Sequence, residues 1–171
     1  MPEFMPTPVR HIVLGVNGGP TDPLVVKLGC QLAREQQARL TAVHVVEVDW
    51  SHDLSEDISS GNEAAAAVLD RAEAIAEKLQ VPLATALLQA RDIGAALVDE
   101  ATEQHGDLMV MGLPYRKKFG GDFAIGRTVP YVLQNAPFGV IVVREPIARS
   151  EARGREPLVA AGAGLGARDR I

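Results

Sequence analysis

The sequence has few aromatic residues and no excess of positive charge. Aromatics make up 4% of the 171 residues, so the core must be aliphatic, and the chain lacks a row of rings on which nucleic-acid bases could stack. The formal net charge is −5. Because binding to a phosphate backbone needs a basic surface, a nucleic-acid partner is not expected.

Cysteine and long apolar runs are also scarce. Cys30 stands alone, which excludes an intrachain disulfide and fits a reducing compartment. No apolar run approaches the roughly 18 residues of a membrane span, and the N-terminus lacks the pattern of a secretory signal. We therefore expect a cytoplasmic protein without membrane insertion. Met5 is a second methionine, so residues 1–8 are expected to be an N-terminal extension, which can originate from an expression vector.

Five apolar runs alternate with helical patterns between residues 9 and 145, which we expect to form one domain. The runs are continuous, as is typical of strands covered on both faces, and strands separated by helices predict right-handed parallel crossovers. The fold class is therefore α/β, an open doubly wound parallel sheet with helices on both faces. The predicted strands are residues 11–16, 40–46, 82–88, 107–111 and 138–143. Residues 146–171 show no apolar period and predict a flexible tail, with partner binding as the alternative.

Helix starts can be read from capping residues. Thr21 or Asp22 is expected to cap the first helix, with Pro23 in its first turn. Asp92 is expected to cap the third helix. The expected inward stripe of the first helix consists of Leu24, Leu28, Leu32 and Ala33.

Two glycine-bearing loops mark the expected ligand site. Ligands of open parallel sheets bind at the carboxyl ends of the strands, where the strand order reverses. With the order 3-2-1-4-5, this point lies between strands one and four, which residues 17–20 and 112–126 follow. Glycine lets the backbone approach a phosphate, and a following helix N-terminus offers free N–H donors. Arg116, Lys117 and Lys118 add positive charge to the second loop, so the pattern predicts an anion site. Ordinary turn glycines beside a solvated basic loop are the alternative.

The segments DLMVMG (residues 107–112) and GRTVPYVLQNAPFGVIVVR (residues 126–144), together with the order of the elements, resemble the universal stress protein family. The similarity covers residues 9–145. It implies the Rossmann-like fold of the adenine nucleotide alpha hydrolase type, with strand order 3-2-1-4-5, and a role in the stress response. It also implies a homodimer that pairs through the edge of strand five, at Val140, Ile141, Val142 and Val143.

Members of this family that bind ATP carry Gly, two residues, Gly, nine residues, and then Gly followed by Ser or Thr. Gly112 matches the first position, but Tyr115 occupies the second. Gly126 matches the third only with one extra residue, and Arg127 separates it from Thr128. The resemblance therefore implies a degenerate ATP motif, whose ligand could be ATP, AMP or a cyclic nucleotide.

The nucleotide-binding members also carry an Asp after the first strand, where this chain has Asn17, which hydrogen-bonds but brings no charge. His44 is expected to be a buried structural imidazole or, by resemblance, a neighbour of the adenine. The full set of candidate nucleotide-binding residues is Val16, Asn17, Gly18, His44, Val45, Met111, Gly112, Tyr115, Arg116, Lys117, Gly126, Arg127 and Thr128.

No metal site or catalytic constellation is expected. His11, His52 and His105 are too scattered to form a ligand set with defined spacing. The leading hypothesis is a non-catalytic, dimeric domain that senses a nucleotide or a related anion. One alternative is a stress protein that binds no nucleotide and acts as a protein-interaction module. Another is a slow ATPase.

Overall fold

The computed structural model describes residues 7–51, 53, 59–113 and 125–146. Within these ranges the backbone forms five strands and four helices that alternate along the chain. The elements are β1 (His11–Gly15), α1 (Asp22–Gln36), β2 (Arg39–Glu47), α2 (Ser59–Lys78), β3 (Ala84–Ala90), α3 (Ile93–Glu103), β4 (Leu108–Leu113), α4 (Thr128–Asn135) and β5 (Gly139–Arg144).

The strands form a single parallel sheet in the order β3-β2-β1-β4-β5, which confirms the predicted topology. β1 lies at the centre, with Leu14 beside Ala42 of β2 on one side and beside Val110 of β4 on the other. Along the chain, β2 and β3 are added on one side of β1, and β4 and β5 are then added on the other side. The winding therefore reverses between β1 and β4, and the carboxyl ends of these two strands flank a crevice.

Two aliphatic layers cover the two faces of the sheet. Ile12, Leu14 and Val110 face α1 and α2, whereas Val13 and Met109 face α3 and α4. This division follows from strand geometry, since successive side chains point to opposite faces. The side chain of any strand residue can therefore be assigned to one layer by its position, a rule that matters for the site.

The first helix differs from its predicted orientation. Its buried residues are Val25, Val26, Gly29, Cys30 and Ala33, so the buried stripe is rotated from the predicted one, of which Ala33 alone is fully buried. Leu24 is exposed, and Leu28 and Leu32 are half-buried. The physical reason is Gly29, where a Cβ would lie 2.5 Å from a methyl group of Leu14. The helix therefore approaches β1 most closely along the side that carries this glycine.

The capping predictions had different outcomes. The Asp92 side chain accepts a hydrogen bond from the Ala95 amide at 2.9 Å, so it caps α3 as predicted. Thr21 occupies the N-cap position of α1 without a side-chain capping bond. Its buried hydroxyl has no hydrogen-bond partner within the described part of the chain, because its Cβ and methyl group pack against Gly112 instead.

Strand β5 lies at one edge of the sheet and pairs with β4. Its central residues, Val140 to Val143, are half-buried. Residues 147–171 of the predicted tail lie outside the described residues, as do residues 1–6 of the predicted extension.

Candidate functional site

The turn after β1 is held together by the first carboxylate of α1. Asp22 accepts hydrogen bonds from the amides of Asn17, at 3.1 Å, and Gly18, at 2.7 Å. The Asn17 side-chain oxygen accepts a third bond, from the Gly19 amide, at 2.8 Å. Gly18 adopts a φ of +81°, a conformation that favours glycine. The sequence predicted that the glycines of this turn let the backbone approach a phosphate. The amides of the turn instead donate to acceptors within it and to Asp22, so the turn presents no ready-made anion cradle.

Two glycines at the crevice serve different purposes. A Cβ on Gly15 would lie 3.5 Å from Met111 Cβ and 3.7 Å from a methyl group of Leu97, which are ordinary contact distances. A Cβ on Gly112 would instead lie 3.0 Å from both Cβ and Cγ2 of Thr21. Gly15 therefore keeps space open on the α3/α4 face, whereas Gly112 allows the N-terminus of α1 to pack closely against β4.

A cavity of about 390 Å³ opens at the carboxyl ends of β1 and β4. This volume lies within the usual range of small-molecule sites. Most of its walls are aliphatic and come from the α3/α4 face of the sheet and from α3 itself. The lining residues are Gly15, Val16, Asn17, Val45, Ile93, Leu97, Met111, Gly112, Leu113, Ile125, Gly126, Arg127, Thr128 and Val129.

The polar side chains of the lining come from the two loops that follow β1 and β4. Asn17 contributes an amide, and Arg127 and Thr128 contribute a guanidinium and a hydroxyl at the start of α4. The first amides of a helix have no intrahelical partner, so they add donors at this point, although Pro130 removes one. The arrangement can hold an apolar, flat group inside and an anionic group beside Arg127.

Arg127 forms an ion pair with Glu47 at the opening of the cavity. Its guanidinium Nη2 lies 3.5 Å from Oε1 of Glu47, the last residue of β2. The Arg127 side chain is 91% exposed and that of Glu47 is 50% exposed. An ion pair this open to water is weak, so the Arg127 side chain can exchange Glu47 for another anion.

The structure brings most of the sequence-predicted site residues together. Eight of the thirteen line the cavity, namely Val16, Asn17, Val45, Met111, Gly112, Gly126, Arg127 and Thr128. Gly18 and His44 are not among its lining residues. Tyr115, Arg116 and Lys117 lie outside the described residues, as does Lys118 of the basic triplet.

His44 lies on the other side of the sheet from the cavity. Its neighbours Val43 and Val45 belong to the α3/α4 layer, so its own side chain points towards α1 and α2. There its Nδ1 atom lies 2.8 Å from the backbone oxygen of Val16. The imidazole therefore fixes the end of β1 at the point where the cavity begins, which is a positioning contact.

The sequence reasoning did not identify six lining residues: Gly15, Ile93, Leu97, Leu113, Ile125 and Val129. One signal was available, because a glycine inside an apolar strand often marks a close approach by a ligand or another backbone. Gly15 sits in such a position, within HIVLGV. The other five are ordinary core-type residues, and only the packing of α3 and α4 against the sheet shows that they border a cavity.

Other chemical groups lie away from this cavity. Burial raises the pKa of the Cys30 thiol above its ordinary value, although the positive charge of Arg34 lowers it in part. His11 is buried at the opposite end of the sheet, where β1 begins, with Nε2 2.8 Å from the Thr41 hydroxyl. Among the residues described by the structure, no three His, Cys, Asp or Glu side chains cluster as metal ligands would. Of the four helices in the described ranges, none combines the length and apolar composition of a membrane span.

Comparisons with solved structures return the same fold. A universal stress protein in complex with cAMP is 19% identical, with a TM-score of 0.62, over 81% of this chain and 98% of that one. The universal stress protein from Archaeoglobus fulgidus in complex with dAMP is 22% identical, with a TM-score of 0.59, over 80% and 98%. A universal stress protein family protein from Arabidopsis thaliana with AMP bound is 10% identical, with a TM-score of 0.53, over 80% and 92%.

Sequence comparison identifies the family. None of the curated proteins matches the chain. The sequence model of the universal stress protein family matches residues 8–144, which is most of the chain. The chain therefore belongs to the universal stress protein family.

Proposed function

We propose that this domain binds an adenine mononucleotide without catalysing its conversion and thereby acts as a ligand sensor in the stress response. The observation that carries the proposal is the cavity of about 390 Å³ between the carboxyl ends of β1 and β4. Its aliphatic walls suit a nucleobase, and the cation at its mouth suits a phosphate.

The proposed pose follows from the distribution of polar groups. The base lies against Val45, Leu97 and Met111, where the walls are apolar. The phosphate lies beside Arg127 and Thr128, where the guanidinium donates charge-assisted hydrogen bonds and the first turn of α4 adds amide donors. The three solved relatives that were crystallised with cAMP, dAMP and AMP support a ligand of this size.

A mononucleotide fits this site better than ATP. The amides of Asn17, Gly18 and Gly19 donate to Asp22 and to Asn17 itself, so they are not available to a longer phosphate chain. The phosphate contacts in the described part of the site then depend on the start of α4. Within the described residues, a longer phosphate chain therefore finds no free amide in the turn after β1.

Calorimetry and thermal shift with AMP, dAMP, cAMP, ADP, ATP and adenosine test the proposal. We expect AMP to bind and to raise the melting temperature, with weaker binding of adenosine, which lacks the phosphate. Arg127→Ala should weaken AMP binding about tenfold, the loss expected for a charge-assisted hydrogen bond of about 1.5 kcal/mol. Arg39→Ala is the matched control, because Arg39 is an exposed arginine at the opposite end of the sheet. If no nucleotide shifts the melting temperature, the proposal is wrong.

The alternative is a dimeric interaction module that binds no nucleotide, and the edge strand is the observation that favours it. Residues Val140 to Val143 are apolar, half-buried and paired with β4 on one side of the strand. Such an edge can pair with a second chain, and we propose that it forms a homodimer whether or not nucleotide binds. Light scattering should then give about twice the 18.2 kDa mass of the chain, and a monomer at micromolar concentration would contradict the dimer.

Slow ATP hydrolysis is a separate possibility with its own test. Release of inorganic phosphate from ATP must exceed that of Arg127→Ala for hydrolysis to be assigned to this cavity. A cytoplasmic location stays a prediction, which cell fractionation tests.

A further inference from the structure

The ion pair between Arg127 and Glu47 joins two elements that are far apart in the sequence. Glu47 ends β2, and Arg127 is the N-cap residue that immediately precedes α4. The distance between Nη2 and Oε1 is 3.5 Å. The ion pair therefore links the carboxyl end of β2 to the segment that precedes α4, on the other side of the cavity opening.

Strand geometry places Glu47 on the cavity side of the sheet. Val45 lines the cavity and belongs to the α3/α4 layer. Side chains two positions apart in a strand point to the same face, so Glu47 projects above Val45 at the outer edge of the cavity. A carboxylate thus stands beside the cation on which the proposed phosphate site depends.

The Glu47 carboxylate and a ligand phosphate would use the same guanidinium. Arg127 is the lining residue that carries a positive charge in the described part of the site. A phosphomonoester can accept two parallel hydrogen bonds from a guanidinium. Glu47 contacts it through one oxygen at 3.5 Å, with half of its side chain exposed.

We propose that Glu47 is a specificity-determining residue that competes with the ligand phosphate for Arg127. The inference rests on the proposed function, and it concerns the control of that site. In the free protein Glu47 holds Arg127, and a ligand binds the guanidinium only by displacing it. The competition lowers the affinity for phosphate-bearing ligands and leaves the binding of an uncharged nucleoside unchanged.

The competition sets which ligands the site accepts. A phosphate-bearing ligand reaches the guanidinium only in the fraction of molecules in which Glu47 has released it, so AMP and cAMP are weakened by the same factor. Glu47 therefore lowers the affinity for AMP relative to adenosine, and its removal should widen the difference between these two ligands.

Calorimetry on four proteins tests the competition: the wild type, Glu47→Gln, Arg127→Ala and the double variant. Titrations with AMP and with adenosine are made at the same ionic strength. Glutamine keeps the size of Glu47 and removes its charge. Glu77→Gln is the matched control, because Glu77 is an exposed glutamate on α2, which packs on the opposite face of the sheet.

We expect Glu47→Gln to tighten AMP binding about two- to fivefold, the range set by the strength of an exposed ion pair. Adenosine binding should not change, and Glu77→Gln should match the wild type for both ligands. In the Arg127→Ala background the gain on removing Glu47 should vanish, because the competition needs the guanidinium.

Two results would overturn the inference while leaving the proposed function intact. One is AMP binding that Glu47→Gln does not alter. The other is an equal gain with and without Arg127, which would mean that Glu47 acts by general repulsion. A wild-type protein that binds neither AMP nor adenosine would instead remove the proposed function, and the competition with it.

Discussion

Replacing Gly15 with valine should close the cavity while preserving the fold. A Cβ at this position would make only ordinary contacts, at 3.5 Å to Met111 and 3.7 Å to Leu97, so the first carbon fits without strain. Gly15 lies outside the left-handed region of backbone conformation, in which Gly18 is found, so its backbone accepts a side chain. The two methyl groups of valine must then project into the space that the ligand would occupy.

The magnitude follows from the cost of overpacking. Inserting methyl groups into a filled site costs about 1–3 kcal/mol, so AMP binding should weaken about 5- to 150-fold. In the free protein the cavity is open, and Gly15→Ala should stabilise the fold by about 0.4–1 kcal/mol because it restricts the unfolded chain. For a domain of this size, that gain raises the melting temperature by about 1–4 °C.

Gly112→Ala provides the contrasting variant. Gly112 also lines the cavity, but a Cβ there would lie 3.0 Å from two carbon atoms of Thr21. We expect the substitution to lower the free energy of unfolding by about 1–3 kcal/mol. Calorimetry with AMP and thermal unfolding followed by circular dichroism measure both effects. A folded Gly15→Val protein that binds AMP as tightly as the wild type would refute this assignment of the cavity, as would equal melting temperatures for Gly15→Ala and Gly112→Ala.

Three further predictions concern the framework of the site. Asp22→Ala should lower the free energy of unfolding, measured in urea, by about 1–3 kcal/mol, because two amides of the turn after β1 lose their acceptor. Asp70→Ala is the control, because Asp70 is exposed on α2. Equal losses of stability in the two variants would contradict the role of Asp22. Thr21→Val should leave the free energy of unfolding unchanged or raise it by up to about 2 kcal/mol, since the buried Thr21 hydroxyl has no hydrogen-bond partner in the described ranges. Thr41→Val should lower the free energy of unfolding, because the Thr41 hydroxyl contacts His11. A Thr41→Val protein more stable than Thr21→Val would be evidence against this explanation. Cys30 should react with Ellman's reagent more than about tenfold faster in urea than in the folded protein at neutral pH, because burial raises the pKa of the thiol and shields it; fast labelling of the folded protein would disagree.

The order and type of the elements could be predicted because each depends on local pattern. Continuous aliphatic runs such as residues 11–16 and 138–143 specify strands covered on both faces, and Asp92 marks a helix start by chemistry that involves only its own neighbours. The boundaries differed by a few residues where pairing extends a strand, as in β3, which runs to Ala90 because it pairs with β2 as far as Glu47.

The sequence predicted less accurately which side chains are buried and which layer of the fold each one faces. Leu24 has the helical spacing of a core residue, but it is exposed because α1 packs along the side that carries Gly29. His44 belongs to the right strand for the site, yet it points to the opposite layer. The glycines after β1 were expected to let the backbone approach a phosphate, but two amides of this turn donate to Asp22. Each difference arises from a contact between residues that the sequence pattern does not place together.

The sequence by itself determined the class of fold, the strand order through its family resemblance, and the two loops that border the crevice. The class of fold and the two loops follow from periodicity and from glycine placement, which are local, whereas the strand order is what the resemblance implied. Only the tertiary structure decided that the crevice has aliphatic walls from α3, that Gly15 keeps it open, and that Arg127 meets Glu47 at its mouth. Such contacts join residues far apart in the sequence, as do Arg127 and Glu47, which are 80 positions apart, and their geometry is set by the packing of whole helices against the sheet.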